Sequence, residues 1–209
     1  MHNFVYVSKG EAAPVKKELL DIIHQAQNLV RDKFTFRYDF IGSSSRNMIT
    51  RDLNSNIGFD FDVNIQVNDE DEEYDAKEIK HILMNAFNKV IIRYGYKHCE
   101  DSTRVFTIKF VDSPNSRIIH SCDFAIVYNC NDGRQQYIRF NKGSNSYSWE
   151  YQPTDFVGLG QKIEWLKRHN YWNDVKDYYI EKKNMNNNPD KHSRSIFAET
   201  INEMYQKCK

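Results

Sequence analysis

Two aspartates, Asp60 and Asp62, stand two residues apart in a segment that alternates between apolar and polar residues. The apolar residues of 59–65 fall on every second position, a period typical of a half-buried β-strand. Both carboxylates therefore lie on one face of the predicted strand. Carboxylates this close raise each other's pKa unless a positive charge lies between them. The pattern predicts a site for a hard divalent cation, Mg²⁺ or Mn²⁺; the alternative is a pair of solvated carboxylates on an exposed strand.

A Gly-Ser pair, Gly42 and Ser43, follows the apolar run 36–41 and precedes the aspartate strand. Backbone N–H groups and hydroxyls in such a turn can bind phosphate, although an ordinary strand-to-helix turn with a capping serine has the same sequence. Its position before the predicted metal site favours phosphate binding, and the combination indicates phosphoryl or nucleotidyl transfer. Arg46, just downstream, is either an aid to phosphate binding or a surface arginine.

The order of these features resembles the nucleotidyltransferases of the polymerase-beta superfamily, over roughly residues 15–145. In that family a Gly-Ser turn precedes a strand with two aspartates, here Asp60 and Asp62, and a neighbouring strand supplies a third carboxylate. The match for the third is Asp123, within the apolar segment 118–127. The stretch between the turn and the aspartates is longer than in minimal members. In this it is similar to the larger template-independent enzymes that make oligonucleotide or cyclic-nucleotide signals.

The resemblance implies a role for each residue of this set. Asp60 and Asp62 would hold the metal ion that carries the triphosphate, and Asp123 would complete a second metal site beside the attacking hydroxyl. The Ser43 hydroxyl and the amides around Gly42 would hold the β- and γ-phosphates.

Further along the chain, the larger enzymes of the family place a lysine against the triphosphate, and Lys162 matches it by resemblance. The aromatic pair Tyr147 and Trp149 either stacks on a base or packs as an aromatic turn between sheet and helices. His120 and Cys122 stand an odd number of positions from the third aspartate, so they face the opposite side of its strand. His120 is interpreted as a core or edge histidine, and Cys122 as a buried rather than a catalytic thiol.

The predicted fold is α+β: a nucleotidyltransferase-like mixed β-sheet flanked by helices, with a helical C-terminal region. The length of 209 residues and the 40% of apolar residues suit one core with a helical appendage. The predicted domains are residues 1–150, the nucleotidyltransferase core, and 151–209, a helical appendage packed on it. Strands are predicted over 34–41, 59–67, 104–111, 117–127 and 135–140, and helices over 14–30, 45–53, 79–90 and most of 156–209.

Residues 1–13 are expected to be a loose lead-in, with Pro14 in the first turn of the first helix. The acidic run at 69–75 is interpreted as a solvated loop that becomes a helix N-terminus, where acids suit the helix dipole; a second metal site is the alternative. In the C-terminal region Phe156 and Leu159 are predicted to share one helix face.

Basic and acidic residues number 29 each, so the formal net charge is zero. A broad electrostatic attraction to nucleic acid is not supported, which argues against a long polynucleotide acceptor. No apolar stretch approaches the ~20 residues that span a bilayer, and the first residues lack the apolar run of a signal peptide. The four cysteines show neither a C-x-x-C pair nor zinc spacing and are interpreted as reduced thiols of a cytoplasmic protein.

These observations predict a metal-dependent, template-independent nucleotidyltransferase that transfers an NMP from an NTP to a hydroxyl acceptor and releases pyrophosphate. The favoured product is a small signalling nucleotide, linear or cyclic; the base, the acceptor and the product linkage stay open. Transfer to a protein, a tRNA or a small molecule is an alternative within this class. A non-catalytic nucleotide-binding module is an alternative from another class, although buried acids without a counterion are costly to retain. Oligomer formation through the C-terminal helices is compatible with either.

Overall fold

The computed structural model describes residues 2–69, 72–153 and 158–209. These residues divide into two compact units, and the C-terminal helices share their unit with two short N-terminal segments. The division into a core of residues 1–150 and an appendage of residues 151–209 stays a prediction. The larger unit consists of Val7–Ile49 and Asn56–Gln152, and the smaller unit of Met1–Tyr6, Thr50–Ser55 and Pro153–Lys209.

In the described chain, strands and α-helices are interspersed up to residue 91, and five strands and then three α-helices follow. The strands are β1 (Phe4–Tyr6), β2 (Thr35–Ile41), β3 (Thr50–Asp52), β4 (Ile57–Asn68), β5 (Glu100–Asp101), β6 (Phe106–Asp112), β7 (Arg117–Asn129), β8 (Gln135–Asn141) and β9 (Ser146–Tyr151). The helices are α1 (Lys9–Val30), α2 (Gly42–Ser45), α3 (Ala76–Ile91), α4 (Leu159–Arg168), α5 (Trp172–Met185) and α6 (Ser193–Cys208).

A seven-stranded mixed sheet forms the centre of the larger unit. Its main path runs β2-β4-β7-β6-β5, and β8 pairs with both β7 and β9. Strands β4 and β7 run parallel, while the neighbouring pairs along the path are antiparallel. Because parallel neighbours need a crossover connection, the chain passes through α3, β5 and β6 between them. The predicted α+β class with a mixed sheet is confirmed.

Strand β4 has the alternation predicted from its sequence. Phe61 and Val63 are each 1% exposed and belong to the hydrophobic core, whereas Asp60 is exposed and Asp62 is partly buried. Helices α1 and α3 contact each other and bury their apolar residues in the same core. Burial of the apolar face thereby fixes the register, since a slip of one residue would exchange the two faces. The buried helix residues are Leu19, Ile22, Ile23, Ala26 and Val30 of α1, and Ile79, Leu83, Ala86, Phe87 and Val90 of α3.

The first helix begins earlier than predicted. Helix α1 starts at Lys9 and follows the strand β1, so most of the predicted loose lead-in is ordered. Pro14 accordingly lies inside the helix rather than in its first turn. The reason is a capping box: the Ser8 side chain accepts from the Glu11 N–H, and the Glu11 side chain accepts from the Ser8 N–H.

The helix predicted over 45–53 is wrong. Helix α2 is a single turn, Asn47 adopts a left-handed φ of 53°, and the chain continues as the strand β3. The Ser44 and Ser45 hydroxyls donate to carbonyls three residues earlier, at 2.8 and 3.0 Å. Such local bonds favour turns over continued helix.

Two strands of the larger unit, β5 and β9, were not predicted. Tyr147 of β9 stacks on Phe140 with 4.6 Å between ring centroids, and its hydroxyl donates to Asp101 of β5 at 2.6 Å. Asp101 also pairs with the buried Lys80 of α3 at 2.6 Å. Tyr147 and Trp149 pack against the hydrophobic core, on a strand rather than in the predicted aromatic turn.

The acidic run before α3 contains helix caps. Asp75 accepts from the Glu78 N–H at 2.8 Å, and Glu78 accepts from the Asp75 N–H at 2.9 Å. Asp69 accepts from the Tyr74 N–H at 3.0 Å. The described part of the run thus leads into a helix N-terminus, as predicted. Residues 70 and 71 of the run lie outside the described residues.

The smaller unit contains an antiparallel ribbon of β1 and β3 together with α4, α5 and α6. Lys183 of α5 is 7% exposed, lies 4.0 Å above the Phe4 ring, and donates to Thr50 Oγ1 at 2.7 Å. Neither strand of this ribbon was predicted. The predicted helix position of Phe156 lies outside the described residues. In the described part of the chain, no helix combines the length and the apolarity that crossing a membrane requires.

His120 lies in the core of the larger unit, as predicted from its strand position. It is 6% exposed, stacks on Phe110 at 5.1 Å, and its Nε2 lies 2.8 Å from the Tyr96 hydroxyl. That hydroxyl donates to Glu18 at 2.8 Å, so Nε2 of His120 is the donor to it. Within the described residues His120 Nδ1 has no hydrogen-bond partner. Burial lowers the pKa of His120 to about 4.

His120 should make the protein less stable in acid. Its pKa is 6.5 in the unfolded chain and about 4 in the folded protein, so the unfolded state takes up the proton first as the pH falls. Between pH 7.5 and 4.5 the free energy of unfolding should fall by roughly 2–3 kcal/mol more in the native protein than in His120→Phe. Urea unfolding at both pH values measures this difference. Replacement of the exposed His98 by Phe is the control, and equal pH dependence of His120→Phe and the native protein would contradict the assignment.

Candidate active site

One polar row crosses four strands of the sheet in register. Asp62 of β4 lies directly opposite Asp123 of β7, Asp123 opposite Thr107 of β6, and Thr107 opposite Glu100 of β5. Residues opposite each other in a ladder present their side chains on the same face, with neighbouring strands about 4.8 Å apart. Two of the predicted catalytic aspartates are therefore neighbours, although the sequence places them far apart.

A second row lies two residues along the same strands. Asp60 of β4 is opposite Ser121 of β7, and Ser121 is opposite Lys109 of β6. The Ser121 hydroxyl donates to Asp60 Oδ1. Because a strand repeats every two residues, this row shares the face of the first. The structure thus places Asp60, Asp62 and Asp123 on one face.

In the first row, the carboxylates of Asp62 and Asp123 repel each other when both are ionised. Burial and the neighbouring Asp123 charge raise the pKa of Asp62 to about 6, partly opposed by the Arg46 guanidinium. Burial also raises the pKa of Asp123, while the Thr107 hydroxyl, which donates to Oδ1 at 2.5 Å, and the Lys109 ammonium lower it. Both aspartates are thus held where their negative charge is costly, as at many functional sites.

The Gly-Ser turn lies against Asp62. Gly42 has a left-handed φ of 64°, and a Cβ at this position would lie 3.2 Å from Asp62 Cγ and closer still to Oδ2. The turn folds back on itself, since the Met48 N–H donates to Ser43 O at 2.9 Å. Arg46 follows the turn and is partly buried, and its positive charge lowers the pKa of Asp62. Its predicted role at the phosphates stays a prediction.

The three serines of the turn have different hydrogen bonds. Ser44 and Ser45 donate to carbonyls of the turn itself. Ser43 is partly buried, and no hydrogen bond of its hydroxyl to another described residue is formed. The role predicted for Ser43 at the triphosphate stays a prediction.

The donor set fits a hard divalent cation. Such an ion takes carboxylate oxygens, and it would remove the repulsion between Asp62 and Asp123 that raises the pKa of Asp62. As the side chains stand, the described part of the chain contains no group of three or more His, Cys, Asp or Glu arranged to hold a metal. Asp60 is turned toward Ser121, one row away from the other two. The three-carboxylate metal set therefore stays a prediction.

Lys162 belongs to the smaller unit. It lies on α4, donates to Asn202 of α6 at 2.6 Å, and is 5.8 Å from the centre of the Tyr205 ring. These contacts join two helices. The role predicted for Lys162 at the triphosphate stays a prediction.

Three residues that support the aspartates were not found from the sequence: Thr107, Lys109 and Ser121. The alternation of β6 and β7 indicated which face they share, but not which residue of one strand lies opposite which residue of the next. Alternation shows which face of the sheet a side chain takes, but it does not show how two neighbouring strands are aligned. The sequence did contain one signal for these residues, since each strand has a polar residue on the face that bears the aspartates.

Comparison with known proteins was made by sequence and by structure. No protein-family model matches this sequence, and no curated protein matches it. Solved structures match it in three dimensions. The cyclic AMP-GMP synthase DncV of Vibrio cholerae, in complex with the linear intermediate 5′ pppA(3′,5′)pG, has a TM-score of 0.57 at 13% identity over 94% of this chain and 54% of its own.

Two structures from Escherichia coli match similarly. DncV in its 3′-deoxy GTP bound form has a TM-score of 0.56 at 15% identity, over 94% of this chain and 53% of its own. CdnC with ATP, from strain MS115-1, has a TM-score of 0.54 at 16% identity, over 95% of this chain and 62% of its own. This chain thus spans between about half and three fifths of their length. The predicted resemblance to the nucleotidyltransferase fold is confirmed.

Proposed function

We propose that this protein is a metal-dependent nucleotidyltransferase that transfers an NMP from an NTP to a hydroxyl group. The observation that carries the proposal is the register of β4 and β7, which sets Asp62 against Asp123 beside the Gly42 turn. The likeness to nucleotide-bound structures supports it, since the fold is the one in which such sites occur. Fold alone does not define activity, so the chemistry of the site must carry the argument.

The reaction is an in-line displacement at the α-phosphorus. The acceptor oxygen forms a bond to phosphorus, the bond from the α-phosphorus to the bridging oxygen breaks, and pyrophosphate leaves with that bond's electron pair. The acceptor hydroxyl passes its proton to a water molecule beside Asp123. The turn amides and the Ser43 hydroxyl bind the β- and γ-phosphates, and the Arg46 guanidinium adds a positive charge near them. Their contribution is positioning and charge neutralisation.

Asp60, Asp62 and Asp123 would hold Mg²⁺ or Mn²⁺. A divalent cation bound there would neutralise the developing charge on the phosphate oxygens and lower the pKa of the attacking hydroxyl. For Asp60 this requires rotation away from Ser121, and its exposed position leaves room for that movement. The resemblance also supports a role for Lys162 as a triphosphate ligand, which is part of the proposal.

A small nucleotide is the product that we propose. One of the structures with the same fold is a cyclic AMP-GMP synthase with a linear dinucleotide intermediate. The zero net charge of this chain argues against a long polynucleotide acceptor. A ribose hydroxyl of a second nucleotide is accordingly the proposed acceptor, and the product is linear or cyclic.

The test is product formation from nucleotides. The protein is incubated with each labelled NTP, singly and mixed, with Mg²⁺ and then Mn²⁺, and the products are resolved by mass. A new phosphodiester product and pyrophosphate are expected from the native protein and not from Asp60→Asn. Metal-dependent NTP binding without any product, also in mixtures with protein, tRNA and small-molecule hydroxyl acceptors, would contradict the proposal and favour a non-catalytic nucleotide-binding module.

A further inference from the structure

We infer that strands β5 and β6 form a positioning set for Asp123, made of Thr107, Lys109 and Glu100. This inference rests on the proposed function of the same site. In it, Thr107 orients the Asp123 carboxylate, and Glu100 holds the Lys109 ammonium away from that carboxylate. Asp123 thereby presents a fixed, charged oxygen to a cation.

Thr107 acts through a direct hydrogen bond. Its hydroxyl donates to Asp123 Oδ1 at 2.5 Å, and the two residues are opposite each other in the ladder of β6 and β7. The buried neighbours Phe106 and Ile108, both 0% exposed, fix the strand on either side of Thr107. One carboxylate oxygen is thus occupied by a rigidly placed donor, and Oδ2 is the oxygen left to bind a cation. Hydrogen bonds of this kind orient metal ligands.

Lys109 is a potential competitor of the cation. It lies opposite Ser121 of β7, two residues from Asp123 and on the same face of the sheet. The structure pairs its ammonium with Glu100. Glu100 is opposite Thr107 in the ladder of β5 and β6, so the ion pair is a diagonal one on the same face. A lysine that paired with Asp123 itself would neutralise the ligand that a cation needs.

The short strand β5, of two residues, places Glu100 beside Lys109. Exposed ion pairs stabilise a fold by less than about 1 kcal/mol, so Glu100 and Lys109 add little to stability. Their location beside Asp123 gives them a different effect, which is on the affinity of the site for a cation.

Mn²⁺ binding to the full-length protein tests the inference directly. Free Mn²⁺ is measured by electron paramagnetic resonance in the absence of nucleotide, and kcat and KM for the NTP are measured beside it. Thr107→Val, which removes the hydroxyl but keeps the shape, should weaken Mn²⁺ binding roughly 10- to 100-fold and lower kcat more than it raises KM. Thr107→Ser, which keeps the hydroxyl, should restore binding to within about twofold of the native protein.

Glu100→Gln tests the second part of the set. It should free Lys109 to pair with Asp123 and weaken Mn²⁺ binding roughly three- to fivefold, the size of one exposed ion pair. Adding Lys109→Met to Glu100→Gln should restore the affinity, because the competitor is gone. The control is Glu150→Gln, which breaks the cross-strand pair of Arg139 and Glu150 at 3.0 Å and should leave Mn²⁺ binding unchanged.

The outcomes separate the inference from the proposed function. If Thr107→Val folds, and if both it and Glu100→Gln bind Mn²⁺ as tightly as the native protein does, the inference is overturned. This holds even if the native protein forms products. Weakened Mn²⁺ binding in these variants, with no product from the native protein, would support the inference and overturn the proposed function. A native protein that binds no Mn²⁺ would overturn both. If Thr107→Val does not fold, the pair of Glu100→Gln and its Lys109→Met double variant decides.

Discussion

Asp62→Asn is expected to abolish nucleotidyl transfer and, at the same time, to make the metal-free protein more stable. The carboxylate contributes several kcal/mol of transition-state stabilisation through the cation that it binds, so its loss should lower kcat at least about 1,000-fold. In the absence of metal the same charge is a cost, because burial and Asp123 raise the pKa of Asp62 to about 6. Asparagine has nearly the same shape and no charge.

The sign of the stability effect follows from proton binding. The pKa of Asp62 is 3.8 in the unfolded chain and about 6 in the folded protein, so the folded state takes up the proton first as the pH falls. At pH 8 both states are ionised, and the folded state bears a penalty of about 3 kcal/mol. That penalty decreases between pH 6 and 4 and is absent below pH 3.8. The gain of Asp62→Asn should therefore be full at pH 8 and lost in acid.

Urea unfolding at pH 8 and pH 3.5, with EDTA or with Mg²⁺, measures the effect. Mg²⁺ should raise the free energy of unfolding of the native protein at pH 8 and leave Asp62→Asn unchanged, since only a ligand that binds the folded state stabilises it. The control is Asp39→Asn, an exposed aspartate of β2, which should change stability by less than about 0.5 kcal/mol. Lower stability of Asp62→Asn than of the native protein at pH 8 would refute the account of the site.

Gly42→Ala is expected to lower transfer at least about 100-fold, because a displacement of about 1 Å in a reacting group has effects of that size. The new Cβ would lie 3.2 Å from Asp62 Cγ and closer to Oδ2, so it must displace the carboxylate or the turn. The left-handed φ of 64° adds strain of roughly 1–2 kcal/mol for any residue with a Cβ. The measurements are kcat with saturating NTP and the free energy of unfolding.

Substitutions at two other glycines serve as controls that distinguish backbone strain from the contact with Asp62. Gly133 has a φ of 81° and nothing within 4 Å of a new Cβ, so Gly133→Ala should reproduce the strain alone and keep full activity. Gly143 also has nothing within 4 Å, without the left-handed φ, and Gly143→Ala should change neither property. Equal activity of Gly42→Ala and Gly133→Ala would show that the turn does not need its close approach to Asp62.

Much of the site was predictable because β4 and β7 carry strong local patterns. The alternation around Phe61 places Asp60 and Asp62 on one face, and the same argument turns His120 and Cys122 away from Asp123. Both side chains are buried, at 6% and 0% exposure. When one face of a strand is buried, its apolar residues must take that face, so one sequence is enough to assign each side chain to a face.

The remaining parts depend on contacts between distant segments. Strands β1 and β3, of three residues each, exist because they pair with each other. Their sequences are too short for a periodic signal. Helix α1 was predicted from its apolar spacing but began at the wrong residue, since the capping box of Ser8 and Glu11 precedes the first apolar repeat. Thr107 and Ser121 became visible only when the register joined them to the aspartates.

The parallel pairing of β4 with β7 also orders the assembly of the site during folding. Strands β6 and β7 are joined by a turn closed by the Ser116 N–H on Ser113 O, and hairpins of this kind form within about 1–10 μs. Thr107 can therefore meet Asp123 in a local hairpin. Asp62 reaches Asp123 only when the long segment through α3 has closed, a slower step because of its loop entropy. The two carboxylates approach each other only when β4 pairs with β7, so the hairpin of β6 and β7 can form without their repulsion.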